Sequence, residues 1–309
     1  MISLLQVLKF HGKTGDNMAD KNYLHTAYAN SADGTDGFTT VYPNLNLIVG
    51  SSAKTKDGFF KNFDKVENDY GEITAKETNA YVFQDLSDGF SIKPREYKPG
   101  DNYTISMEVM FTSWNFPAGT SMGEFWIGQR YTASSDSTIS SYKQICYIEL
   151  PKDPSQMLNQ WIRITKTSTI PPIEDPAINT EACFIGQFIG TSEASFTMRV
   201  RKPKQEPGST ATPHMPSVSE VTNADWPKYV GTYVDTNPVS STDPSKYGWD
   251  EIKYRVYLDG TPVGGSKLLS FDLENLKAGT SYNVQVSQIN GNIESDKSES
   301  VAFKTTLTQ

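Results

Sequence analysis

Alternation of apolar and polar residues, repeated over many short segments, is the feature that most limits what this chain can become. In YTISMEVMF, Tyr103, Ile105, Met107, Val109 and Phe111 fall on one side of an extended strand, and Thr104, Ser106, Glu108 and Met110 on the other. SFTMRVRK repeats the pattern, opposing Phe196, Met198 and Val200 to Thr197, Arg199 and Arg201. Such a segment buries one face and keeps the other wet, which is what an antiparallel sandwich requires.

At 309 residues, with 17 Pro and 22 Gly, the chain is longer than one core ordinarily serves and carries turn residues for many short strands. EPGSTATPHMPSVSEV (206–221) is rich in Pro, Ser and Thr and reads as an extended spacer. The expectation is an all-β chain: an N-terminal arm or connector over 1–43, a sandwich over 44–203, a linker over 204–220 and a smaller sandwich over 221–309. In the last, KYVGTYV (228–234), EIKYRVYLDG (251–260), FDLENL, SYNVQVSQI and SVAFKTT follow at roughly ten-residue intervals, as the strands of a sandwich do. Met18-Ala-Asp-Lys opens a composition typical of the remainder, and Gly15-Asp16-Asn17 can be encoded by a sequence like a ribosome-binding site. Met18 is therefore expected to be the natural start.

A net charge of −8 leaves no basic surplus for phosphates, which argues against nucleic acid as a partner. No window reaches the ~20 apolar residues of a membrane span, and ISLLQVLKF lacks the basic start and cleavage site of a signal peptide. His11, His25 and His214 stand at no metal-ligand spacing from one another or from a cysteine. G-x-S-x-G, P-loop and G-x-G-x-x-G motifs are missing, so no catalytic or metal-site residue is assigned. Asp57, Asp64, Glu67 and Asp69 can supply oxygen ligands to a structural Ca²⁺, or serve as solvated acidic loops. Glycoside hydrolysis needs only two carboxylates ~5–10 Å apart, and 36 Asp and Glu leave it open as an alternative.

Lys98-Pro99-Gly100-Asp101-Asn102-Tyr103-Thr104, with the closing segment Arg201 to Pro213 (RKPKQEPGSTATP), resembles the jelly-roll, carbohydrate-binding-like modules in tail proteins of lactococcal and streptococcal phages. The resemblance covers about residues 44–215. SADGTDGFTT (31–40) and KYVGTYVDTNPVSSTDPSKYGWDEI (228–252) are similar to segments recurring in tail and baseplate proteins of those phages, the baseplate auxiliary proteins among them. Residues 254–307 resemble a fibronectin type III, immunoglobulin-like domain, with Leu276 to Tyr282 (LKAGTSY) as the corner that presents a tyrosine. Before residue 250 the usual first strands of that family are not recognisable.

These resemblances imply a virion tail or baseplate protein, made in the host cytoplasm and present in many copies among other tail proteins. They imply a non-enzymatic role, assisting host attachment by weak, multivalent binding of cell-wall polysaccharide. A ligand-free decoration or extension of the tail tube or neck is the alternative reading, and a polysaccharide depolymerase a third. Which saccharide is bound is not legible.

Sugar binding sets flat aromatic faces against C–H surfaces and planar polar groups against hydroxyls. In EFWIGQRY, if Phe125 and Ile127 point to the core, Trp126, Gly128 and Arg130 point outward, with Gly128 leaving room for a ligand. The alternative packing puts Trp126 under a loop with Arg130 stacked over it. Trp114 and Phe116 in TSWNFPAG are rim candidates or loop anchors. Tyr147 and Glu149 share a face if Cys146 and Ile148 are buried, and Glu108 joins them if its strand lies in the same sheet. Trp161 is expected in the core. Cys146 and Cys183, both in apolar runs, are expected to be unlinked thiols. Thiol titration of the denatured protein without reductant should therefore find two free groups, and finding none would overturn the reading.

Overall fold

The computed structural model describes residues 9–10, 22–67, 69–75, 81–93, 96–115, 121–132, 142–151, 153–172, 180–189 and 194–306. Two compact units emerge, one from residues 44–221 and one combining residues 1–43 with 222–309. In chain order, β1 (Lys9–Phe10) and β2 (Tyr23–Ala29) belong to the split unit. The central unit contains β3 (Lys65–Glu67), β4 (Tyr70–Ala75), β5 (Tyr81–Asp85), β6 (Asn102–Asn115), β7 (Ser121–Thr132), β8 (Tyr142–Glu149), β9 (Ile162–Thr169), β10 (Thr180–Ile189) and β11 (Ser195–Pro207). The chain then returns to the split unit with β12 (Tyr229–Asp235), β13 (Gly248–Glu251), β14 (Tyr254–Leu258), β15 (Thr261–Ser266), β16 (Ser270–Phe271), β17 (Ser281–Asn290), β18 (Ile293–Glu294) and β19 (Val301–Lys304).

In the central unit two antiparallel sheets, ordered β3-β4-β11-β6-β9 and β5-β10-β7-β8, make an all-β jelly-roll sandwich. The alternation read from the sequence decides which side chains lie between them. Ile105, Met107, Val109 and Phe111 from β6, Phe196, Met198 and Val200 from β11, and Phe125, Ile127 and Tyr131 from β7 share one core cluster. Burying a side chain of this kind contributes roughly 1.5–3 kcal/mol, so a one-residue slip of any of these strands is strongly disfavoured. Trp161, expected in the core, instead lies half-buried outside the five-stranded sheet, with the Arg201 guanidinium 4.2 Å from its ring centre. It precedes β9 with the opposite parity to Ile162, which packs against the core.

The outer face of β6 is not wet throughout, and the reason corrects the linker expected over 204–220. A bulge after Arg201, with Lys202 in the left-handed region at φ 51°, re-phases the end of β11. Lys204 and Glu206 then form a 3.2 Å ion pair in which both side chains are 0% exposed. The Lys204 ammonium also donates to Thr212 Oγ1 at 2.5 Å and to the Pro213 carbonyl at 2.8 Å. Glu206 accepts from the Thr212 N–H at 2.9 Å and hydroxyl at 2.6 Å. Residues 208–220 are thereby folded back onto the sandwich, with Thr212, Met215 and Ser217 buried. Composition signalled a spacer, but two charges that cannot reach water hold the segment down. Burial pushes the Lys204 ammonium down to about 8, an effect its ion pair with Glu206 only partly offsets.

In the split unit β2 pairs with β12 along its whole length, from Tyr23↔Asp235 to Ala29↔Tyr229. The expected arm over 1–43 is therefore corrected: its residues 23–29 are an integral strand. With β13 it makes a three-stranded sheet, ordered β13-β12-β2, supplying the first strands that were not recognisable in the sequence. The second sheet runs β15-β14-β17-β18, with β19 also pairing β17. Val256, Val284 and Val286 centre its core, and the Tyr282 hydroxyl accepts the Lys277 N–H at 2.9 Å, the corner expected of an immunoglobulin-like sandwich. Trp249 fits only because Gly34 and Gly231 carry no Cβ, which would collide with its indole.

Removing one charge of the buried pair leaves the other uncompensated. Lys204→Met and Glu206→Gln should each destabilise the central unit by about 3–5 kcal/mol in denaturant unfolding, and Lys204→Met/Glu206→Met should recover most of the loss. Single variants within ~0.5 kcal/mol of the parent would show that the pair does not hold the segment.

Candidate functional site

The four-stranded sheet carries the candidate residues. On β7, Phe125 and Ile127 enter the core, and Trp126 belongs to a separate cluster with Cys183 and Ile185 of β10 and Tyr147 of β8. Trp126, Gly128 and Arg130 thus share the face turned away from the core, as alternation requires. Cys146 and Ile148 are buried, which puts Tyr147 and Glu149 on that face too. Glu108 does not join them, because β6 lies in the other sheet, where Glu108 pairs with Arg201 at 2.6 Å.

Register arranges this face in rows across the strands. Phe83, Ile185, Trp126 and Glu149 form one row from β5 to β8, and Asp85, Cys183, Gly128 and Tyr147 form the next. Phe83, 40% exposed, is the open aromatic of the first row and was not singled out in the sequence. The alternation of YVFQD carried the signal, since Val82 packs against the core and Phe83 must therefore face away.

Trp126 is not an open platform: only 3% of it is exposed. The Tyr147 ring meets it edge-on at 6.1 Å and the Arg130 guanidinium lies 5.8 Å from its centre. Of the two packings open in the sequence, the structure takes the one with Trp126 covered and Arg130 over it. Its indole N–H is buried and has no hydrogen-bond partner among the described residues. A buried donor in that state costs ~1–3 kcal/mol.

Gly128 leaves no room for a ligand, because a Cβ there would strike the backbone of Cys146 and Tyr147. The glycine is needed for the close approach of β8, followed by a bulge between Gln129 and Arg130. Trp114 is half-buried near the end of β6 and packs against the core, its ring 5.0 Å from Phe111 and 6.3 Å from Phe125. Phe116 lies outside the described residues. On the β8 edge, Lys166 sits 3.5 Å over the Tyr147 ring and 3.5 Å from the Glu149 carboxylate.

Cys146 and Cys183 occupy opposite faces of this sheet and are unlinked. Burial pushes the Cys146 thiol up to about 11, which keeps it protonated and inert. Among the described residues no three His, Cys, Asp or Glu side chains are grouped as metal ligands. Of the acidic residues weighed for Ca²⁺, Asp64 accepts the Thr74 N–H at 2.7 Å and Glu67 pairs with Lys65.

Comparison with known proteins follows the same division. Residues 55–203 match the family model described as BppA domain 1, of the carbohydrate-binding-module type, and residues 227–285 match the minor structural protein 5-like, C-terminal domain. No curated protein matches the chain. Among solved structures, a chain from the tripod (BppUct-A-L) of the baseplate of bacteriophage Tuc2009 is 76% identical, with a TM-score of 0.89, over 94% of this chain and 100% of that one. With two matched domains in this order and identity at that level along nearly its whole length, the chain belongs to the family of phage baseplate tripod proteins, structural components of the virion tail.

Proposed function

We propose that this protein is a non-enzymatic baseplate component that assists host attachment by holding cell-wall polysaccharide weakly on the outer face of the four-stranded sheet. The observation that carries this reading is the Phe83 ring, 40% exposed on the outer face of a sheet in the module that matches the carbohydrate-binding-module type. Phe83 offers an apolar surface for a pyranose face. Tyr147 and Glu149 supply the opposite edge, and Arg130 positions the indole. A single site of this kind is weak, and many copies on one virion multiply it.

The closure of Trp126 favours the second reading, a ligand-free structural module. Catalysis is the least favoured. Asp85 and Glu149, carboxylates of this face whose side chains are described, stand on its outermost strands, β5 and β8. That is three strand spacings, about 14 Å, apart, beyond the ~5–9.5 Å of glycosidase pairs.

Two measurements on the full chain test these readings. Trp126→Ala should lower the stability of the central unit by about 3–5 kcal/mol through the cavity it opens, whereas Phe83→Ala should change it by no more than ~0.5 kcal/mol. Trp126→Phe keeps most of the packing and removes the N–H. Displayed multivalently on beads, Phe83→Ala should reduce attachment to host cells about tenfold, equivalent to ~1.4 kcal/mol, and Trp126→Phe, whose N–H is out of a ligand's reach, should leave it within about twofold. Undiminished attachment by Phe83→Ala would sink the proposed face, and release of reducing ends from wall polysaccharide would restore the depolymerase reading.

A further inference from the structure

We propose that the split unit binds a carboxylate group in a small recess beside Arg255. No part of the saccharide reading supports this site or is needed for it. Arg255 is only 4% exposed, and its guanidinium lies 4.9 Å from the centre of the Trp226 ring. Its Nε donates to the Tyr42 hydroxyl at 3.1 Å and its Nη1 to Glu294. A guanidinium carries five N–H donors in a rigid fork, and the two on Nη2 have no hydrogen-bond partner among the described residues. Unlike the sealed Trp126 N–H, Nη2 is within reach of solvent. Arg255 and Trp226 line a recess of about 100 Å³ together with Lys228, Glu251, Lys253 and Asn292, and every residue of its walls belongs to the split unit. Neither Tyr42 nor Glu294 lines it, so Nη2 is the end of the fork left to face it.

Size and charge give the chemical class. The recess is roughly three times the ~30 Å³ that a water molecule occupies in the liquid, and well below the ~300–1,000 Å³ of pockets that enclose a whole small ligand. It therefore takes one functional group and the carbon that bears it. Of the charges involved, Lys253 pairs with Glu251 and Arg255 with Glu294, whereas Lys228 is exposed and in no ion pair among the described residues. Three cations against two carboxylates leave one positive charge to be met. A carboxylate supplies one negative charge, while a phosphate monoester at about −1.5 to −2 oversupplies it. Carboxylate oxygens also suit a guanidinium fork, and the Trp226 ring on one side of the guanidinium keeps part of the water away, which strengthens the attraction.

The test is a nuclear magnetic resonance titration of the full chain at fixed ionic strength, following the Trp226 indole N–H, which Trp226→Phe identifies by its loss. Acetate should shift that resonance saturably, with a Kd of about 1–10 mM, the weak range expected of a single group. Arg255→Lys keeps a charge for Glu294 but loses the fork, and should abolish the saturable shift. Should that variant fail to fold, Lys228→Gln decides: it changes an exposed side chain, so it should leave the melting temperature unchanged and weaken acetate binding threefold or more. A glutamyl peptide with blocked ends, titrated beside acetate, separates the two sources of the group. Binding about tenfold tighter than acetate assigns the site to a side chain of a neighbouring polypeptide, and equal binding assigns it to free acids. Phosphate saturating the resonance at lower concentration than acetate would overturn the carboxylate class. Shifts that stay linear for every anion to about a hundred times the expected Kd, or acetate binding unchanged in Lys228→Gln and Arg255→Lys, would overturn the site.

Discussion

A strand can turn only every second side chain toward a given layer, and β7 meets that limit with demanding residues on both faces. Phe125, Ile127 and Tyr131 are needed between the two sheets, so Trp126 and Arg130 must stand on the other side. Everything proposed for the outer face follows from that division. The strands flanking β7 inherit it through their register: Ile185 and Phe83 align with Trp126 on one side, and Glu149 on the other. The two cysteines are separated by the same rule, one on each side of a single sheet.

The end of the jelly roll depends on a different balance. Beyond the bulge in β11, Lys204 and Glu206 are buried completely, and neighbouring Gln205 donates to the Tyr97 hydroxyl at 2.6 Å and to Gln129 Oε1 at 3.2 Å. Burial of such groups is tolerated where hydrogen bonds replace water, and Thr212, Pro213 and Asn46 supply partners to Lys204, Glu206 and the Gln205 N–H. The split unit has a comparable centre. There Glu294 receives Arg255, Tyr257 and Ser287, while Arg255 Nε donates to the Tyr42 hydroxyl at 3.1 Å. Each unit thus adds a polar cluster with specific geometry to its apolar core.

The proposed binding face combines an exposed ring, a covered indole and charges that are already paired. That composition suits a weak ligand better than a tight one, because its open ring, Phe83, is flanked by covered or paired groups. Weakness is no defect in a protein of the baseplate tripod family, where association with other baseplate components and repetition in the virion multiply modest contacts.

Much of this was legible before any coordinates. Period-two alternation determined the all-β class, the inward faces of β6, β7 and β11, and the outward parity of Trp126, because side-chain direction along a strand is a local property. The LKAGTSY corner was legible for the same reason, its hydrogen bond spanning only Lys277 to Tyr282. Tertiary structure decided what local pattern cannot encode. The pairing of β2 with β12 joins residues some two hundred positions apart, so Tyr23–Ala29 read as an arm until its partner was in place. The segment after β11 looked like a spacer because burial of Lys204 and Glu206 depends on which groups meet them in space. Whether Trp126 was open or covered, and whether Gly128 left room for a ligand or for β8, also turned on neighbours from distant strands. Alternation says which way a side chain points, and only packing says what it finds there.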